Sequence, residues 1–303
     1  MAGGPGKGPT RGVVFSVCGA LAVSGGLAWA LAGKRDEFAS ALGAAPLWLL
    51  LLAAALQLAA LVSRSEAWHT SVTAAGGTVS RRRLHRAASL GNLAGVANSQ
   101  VAAAARIAVL RRTAPVDAPR VPALIAAEVP ILGIEGVLAA VASFTLVGPL
   151  GLPWWIPLVA LAVAAAAIAA LRRLAGGRSD CWRGLDALRS VRAGRLVLGL
   201  VLVAVFAQIL RNWLMLHAVG VDASVFDATA VLIAMVTLSQ LPVGPSVGAA
   251  AVVLILGANG VALTAAAGVL LTVTGTVGAL CFASWAVLDR LPHLYRTASR
   301  RPA

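Results

Sequence analysis

The chain has 303 residues, of which 59% are hydrophobic and only 12% charged, and its mean hydropathy is +0.88. That is more apolar surface than one soluble core can cover, which excludes an ordinary water-soluble domain and predicts an all-α polytopic membrane protein. The net charge of +14 would suit nucleic acid, but its placement along the chain explains it as membrane topology, so no nucleic-acid partner is expected.

Residues 1–11 form a Gly/Pro leader whose Gly-Lys pair lacks the spacing of a phosphate-binding loop. The first apolar window, 12–33, is longer than a signal-peptide core and is followed at once by "KRDE", so it is expected to stay as a helix. Windows at 45–63, 121–147, 152–171, 196–219 and 261–288 are also long enough to cross a hydrocarbon core that takes about 20 residues per helix. Six full spans are therefore expected, in one membrane domain covering 12–290.

The basic residues orient these spans, because short loops rich in Lys and Arg stay cytoplasmic. All of them except Lys34, Arg35 and Arg211 fall in the leader, in the segment from Arg64 to Arg120, in the loop 172–195, or in the tail 291–303 with Arg290. The expected localisation is the cell membrane, with both termini cytoplasmic.

Two further apolar stretches do not fit as spans. From Val225 to Ala258 there are too few residues for two crossings, and one crossing would leave the basic tail outside. The stretch is also broken by "LPVGPSVG", in which Pro242 and Pro245 lack backbone donors and Gly244 and Gly248 allow turns and close packing. A re-entrant hairpin from the outer face is predicted, and broken backbone at membrane depth marks a cavity lining. Residues 87–105 lie between "SRRRLHR" and "RIAVLRR", so they are predicted to dip in from the cytoplasm and return. Two opposed re-entrant hairpins, one in each half, are the pattern of an inverted repeat in which 45–147 corresponds to 196–288.

Ionisable groups inside the bilayer are the candidates for function. Glu128 and Glu135, two turns apart, read as a proton or cation relay or as partners for arginines. Arg211, beside Gln208 and Asn212, can hold a lipid phosphate through two parallel hydrogen bonds, or pair with one of the glutamates. Arg106, after the first hairpin, can meet the same phosphate or serve topology alone. Cys18, Cys181 and Cys281, and the four histidines, are scattered without metal-ligand or redox spacing, so no metal or cofactor is expected.

The segments "NLAGVANSQVAAAARIAVLRR", "ILRNWLMLHAVGVDAS" and "LSQLPVGPSVGAAAVVLILGANGV" resemble the transmembrane region of lysylphosphatidylglycerol synthases and related flippase-like membrane proteins. Asn98, Arg106, Glu128, Gly220 and 242–248 sit at matching places. The chain departs from the pattern in having no glutamate just after the proline-glycine break, and no aminoacyl-transferase domain is expected. The resemblance implies a protein that moves or binds a lipid but does not aminoacylate it. The expected function is thus a membrane lipid translocase, not an enzyme, for an anionic phospholipid or polyprenyl-phosphate-linked headgroup. Its expected site residues are Arg106, Arg211, Glu128, Glu135, Asn98, Pro242, Gly244, Pro245 and Gly248. The alternatives are a non-catalytic subunit supporting a cell-envelope glycosyltransferase or synthetase, and an intramembrane lipid-phosphate enzyme. A cell-envelope synthesis enzyme is the protein partner this allows, with a homodimer among the assemblies.

Overall fold

The computed structural model describes residues 24–97, 99–114, 119–175, 190–239 and 247–289. Asn98, Pro242, Gly244 and Pro245, and most of the first apolar window, lie outside them. The described residues are helical with no strand: α1 (Arg35–Ala44), α2 (Leu47–Ala74), α3 (Arg81–Ala97), α4 (Ser99–Thr113), α5 (Val121–Ala126), α6 (Val129–Ala142), α7 (Val147–Leu150), α8 (Trp155–Ala175), α9 (Val191–Ala218), α10 (Val225–Ser239), α11 (Val247–Leu256) and α12 (Val261–Leu288). Four stretches are long and apolar enough to cross a membrane: Leu47–Ala74, Val121–Leu150, Val191–Ala218 and Val261–Leu288. The protein is a membrane-embedded helical bundle. The window expected at 152–171 is a shorter apolar helix, Trp155–Leu171.

Local chemistry sets the element boundaries. The third apolar window is not one helix: Pro130 cannot donate to the carbonyl of Ala126, so α5 stops there and α6 restarts beyond Glu128. Both predicted hairpin regions contain two helices packed on each other, α3 on α4 and α10 on α11. Close approach in the first is enforced by glycine: a Cβ at Gly91 would lie 2.6 Å from Cβ of Arg106, and one at Gly95 3.0 Å from that of Ala102.

The strongest helix pair is α2 with α9, and it is antiparallel. Leu49, Leu50 and Ala53 share a cluster with Met215 and Leu216. Leu56 and Ala60 meet Ala204 and Ala207. Ala67 and Trp68 lie in a cluster with Val197 and Val201. Numbers rise along one helix as they fall along the other, and the crossing lies at Ala60 and Ala204.

The same two helices share an internal register. Each is 28 residues long and ends on a glycine of positive φ, Gly76 at +86° and Gly220 at +83°. In each case the glycine N–H returns to the residue three back, Thr73 or His217, and the next N–H to the residue five back, Val72 or Leu216. These are paired Schellman caps, where glycine takes the left-handed conformation at least cost. One constant interval relates Leu47 to Val191, Ala60 to Ala204, Gly76 to Gly220 and Arg81 to Val225.

Helix α12 is the most enclosed of the four spans and packs on α1, α2, α3, α9 and α11. Gly268 presses on the backbone of Ala249, and Gly248 on the carbonyl of Gly268. Trp29, Trp48, Trp154, Trp155 and Trp285 are exposed near helix ends, as interfacial anchors are. Trp213 differs, since its indole N–H donates to the Ala223 carbonyl at 3.1 Å.

Gly268→Val should destabilise the protein by more than the usual overpacking cost of about 1–3 kcal/mol, because rigid backbone faces the new side chain. Thermal unfolding in detergent checks this, with Gly199→Val, at a position with nothing within 4 Å of a built Cβ, expected to stay near wild type.

Candidate functional site: a ladder of arginines along α2

Three guanidinium groups stand at successive levels of α2. The first, Arg211 of α9, is 4% exposed and lies beside the helix crossing. Its Nη1 donates to Oε1 of Gln57, which also accepts from Nε2 of Gln208 at 2.9 Å. Its Nη2 reaches the Leu271 carbonyl at 3.5 Å, while Nε has no partner. Among the described residues no carboxylate pairs with it. Neighbouring Asn212 is fully buried; its Nδ2 is 3.5 Å from the Ala228 carbonyl, and Oδ1 has no partner.

Glycines on α12 make room for this arrangement. A Cβ at Gly278 would lie 2.6 Å from Cγ of Gln57, and one at Gly275 3.5 Å from Nη1 of Arg211. Spaced three apart, the two glycines share one face of the helix.

The second level is Arg64, on α2 itself, whose Nη2 lies 2.7 Å from Oε2 of Glu135. The third is Arg106 on α4, paired with Glu128 and stacked 5.1 Å above the ring of Trp68. Both stabilise the guanidinium, since an aromatic face attracts a cation. Here too polar atoms stay unpartnered: Nε of Arg106, Oε1 of Glu128 and Nε1 of Trp68.

Beyond these lies a charged belt. Oε2 of Glu66 takes Nε of Arg81 at 2.7 Å and faces Nε2 of His85 at 2.8 Å. His85 stands edge-on to Phe282 and Trp285 of α12, centroids 6.2 and 6.4 Å away. Arg86 of α3 pairs with Asp289 at the C-terminal end of α12.

The two glutamates therefore divide their work. Glu128 neutralises Arg106, whereas Glu135 neutralises Arg64, which by charge pattern reads as a topology residue. The expected pairing of a glutamate with Arg106 is therefore present, but neither glutamate pairs with Arg211. Nor do those two arginines form one site: their α2 neighbours Gln57 and Trp68 are 11 residues apart, about 16 Å along the axis. Gly248 belongs to the α11–α12 contact and not to this ladder.

Gln57, Arg64, Trp68, Gly275 and Gly278 were not singled out by sequence. The visible traces were a glutamine in an otherwise apolar span and the "GTVG" pair in the last one. Compared with family models, curated proteins and solved structures, the chain matches none.

Removing Arg106 alone strands a buried carboxylate, so Arg106→Ala should cost about 3–5 kcal/mol. Adding Glu128→Gln should recover most of that loss, as a double-mutant cycle read by thermal unfolding would reveal.

Proposed function

We propose that this protein is a membrane lipid translocase for an anionic headgroup, a phospholipid or a polyprenyl-phosphate-linked lipid. One observation carries the reading: Arg211 is buried beside the crossing of two apolar helices and, among the described residues, has only neutral partners. A charge at bilayer depth costs about 2.5–3.5 kcal/mol even on insertion scales, so such residues mark substrate pathways. A phosphate supplies the missing anion, and guanidinium binds it through two parallel hydrogen bonds. In this mechanism the headgroup releases Gln57 from Arg211 and takes its place, while the tails remain in the bilayer.

Arg64 and Arg106 extend the path. Their pairs with Glu135 and Glu128 neutralise them when no headgroup is present, and a phosphate exchanges with the carboxylate as it arrives. Successive levels are about 10 Å and 6 Å apart, judged from seven and four residues of α2.

Alternating access fits the internal register. With α2, α5–α7, α8 and α9 as four crossings and the hairpins α3–α4 and α10–α11 re-entrant from opposite faces, α2 and α9 run oppositely, as their antiparallel packing requires. The halves are then an inverted repeat about the Ala60–Ala204 contact, with both termini cytoplasmic. The resemblance to the transmembrane region of lysylphosphatidylglycerol synthases supports the same reading.

The deciding experiment is headgroup flipping in proteoliposomes. Arg211→Gln should lower the rate at least tenfold, yet leave the melting temperature unchanged or higher, because it removes a buried charge without orphaning a carboxylate. Unchanged flipping would refute the role of Arg211. Release of phosphate from the lipid by wild-type protein would favour the enzyme instead. For topology, cysteines at the equivalent positions Thr78 and Asp222 should react with an impermeant maleimide from opposite faces, Thr78 from inside.

A further inference from the structure

The headgroup path makes no use of the charged belt at the ends of α2, α3 and α12. Three side chains from one short stretch of α3 build it. Arg81 donates to Oε2 of Glu66 on α2, and Nε2 of His85 faces the same oxygen. Arg86, next in the chain, turns to α12 instead: its Nε donates to Oδ2 of Asp289 at 2.7 Å and its Nη2 to the Asp289 carbonyl at 2.9 Å. Asp289 is the C-cap of α12, where the helix dipole disfavours a carboxylate. The guanidinium thus answers two negative groups at once, the side chain and the helix end. Both partners are mostly buried, with side chains 15% and 20% exposed.

Behind this layer the seam between α3 and α12 is apolar. Phe282 and Trp285 of α12 stack with centroids 6.0 Å apart, and the ring of His85 stands edge-on to both. Phe282 joins Leu84, Ala87 and Ala88 of α3 in one cluster with Trp68, the fully buried ring beneath Arg106. The opposite end of the molecule lacks these groups. The interval that takes Gly76 to Gly220 takes Arg81, His85 and Arg86 to Val225, Thr229 and Ala230, and it brings Phe282, Trp285 and Asp289 back to Leu138, Val141 and Thr145. Thr229 and Thr145 bond within their own turns, to the carbonyls of Val225 and Ala142. Val225 and Val141 are exposed.

We propose that the pair of Arg86 with Asp289, backed by His85 on Phe282 and Trp285, is a latch that holds α3 on α12 and closes this end of the protein, its release opening the way to Trp68 and Arg106. Close contacts at Gly91 and Gly95 tie α3 to α4, so the hairpin and the Arg106 it carries move as one body. Because the equivalent positions of the other half carry no such charges, the latch biases the resting protein towards closure at the α3 end. The inference rests on the alternating-access reading above for what the opening serves, and on the contacts themselves for the latch.

The test is thiol labelling of the full chain in lipid nanodiscs, with its three native cysteines replaced by serine. The reporter is Ser89→Cys, nearly isosteric, fully buried and one turn along α3 from Arg86. It should react slowly with a maleimide. Adding Arg86→Asp, which sets two carboxylates against each other, should raise the rate at least tenfold, and adding Asp289→Arg as well should restore slow labelling. Arg82→Asp, the same change at an exposed position of α3, should have no effect. Ala251→Cys, fully buried in the other half, should stay unreactive in every background. Failure of Arg86→Asp to speed labelling, an equal effect of Arg82→Asp, or no recovery in the exchanged pair would each overturn the latch. So would labelling of Ala251→Cys alongside Ser89→Cys, which would signify general loosening. Headgroup flipping that continues once Arg86→Cys is cross-linked to Asp289→Cys would overturn its role in access. The expected labelling in a protein that flips nothing would leave the latch standing and remove the translocase.

Discussion

The antiparallel crossing of α2 and α9 is the contact around which the rest is arranged. Ala60, Ala204 and Ala207 bring the two backbones together, and in an apolar solvent, where hydrophobic driving force between helices is lost, such van der Waals contact is what associates them. Within two turns of that point, Gln57, Gln208 and Arg211 form a polar rung. The small residues and the rung need each other: close approach lets the side chains meet, and their hydrogen bonds satisfy groups that hydrocarbon cannot solvate.

From that rung the electrostatics change along α2. Towards its C-terminal end every level supplies carboxylates: Glu135 for Arg64, Glu128 for Arg106, and Glu66 between Arg81 and His85. At the crossing, among the described residues, there are only amides and a carbonyl. The gradient runs from compensated charge to a cation held by neutral dipoles. An anion would gain most at the level where nothing yet balances the charge, which is why the proposed site centres on Arg211 and not on the more accessible arginines.

The two halves are alike where they cap and different where their buried charges lie. Schellman glycines end α2 and α9 with the same hydrogen bonds. The last span of the first half, however, is interrupted before Pro130, and α12 is continuous. That break sets Glu128 against Arg106, whereas unbroken α12 uses Gly275 and Gly278 to accommodate Arg211 and Gln57. The polar path thus takes a carboxylate from one half and empty space from the other.

The sequence by itself determined that the chain is a helical membrane protein, where four of its long apolar stretches lie, and that Glu128, Glu135, Arg106 and Arg211 are the charges to ask about. Those follow from composition and from the cost of ionised groups in hydrocarbon, which are local properties of the chain. The tertiary structure alone decided which charge meets which. Arg64 looked like one more cytoplasmic charge, and only the packing of α6 on α2 gives it Glu135; Gln57 is an isolated amide until α9 places Arg211 against it. Partners separated by 71 residues, as Arg64 and Glu135 are, or by 154, as Gln57 and Arg211 are, leave no periodic trace, because helix faces are chosen by the fit of distant side chains and not by neighbours in sequence.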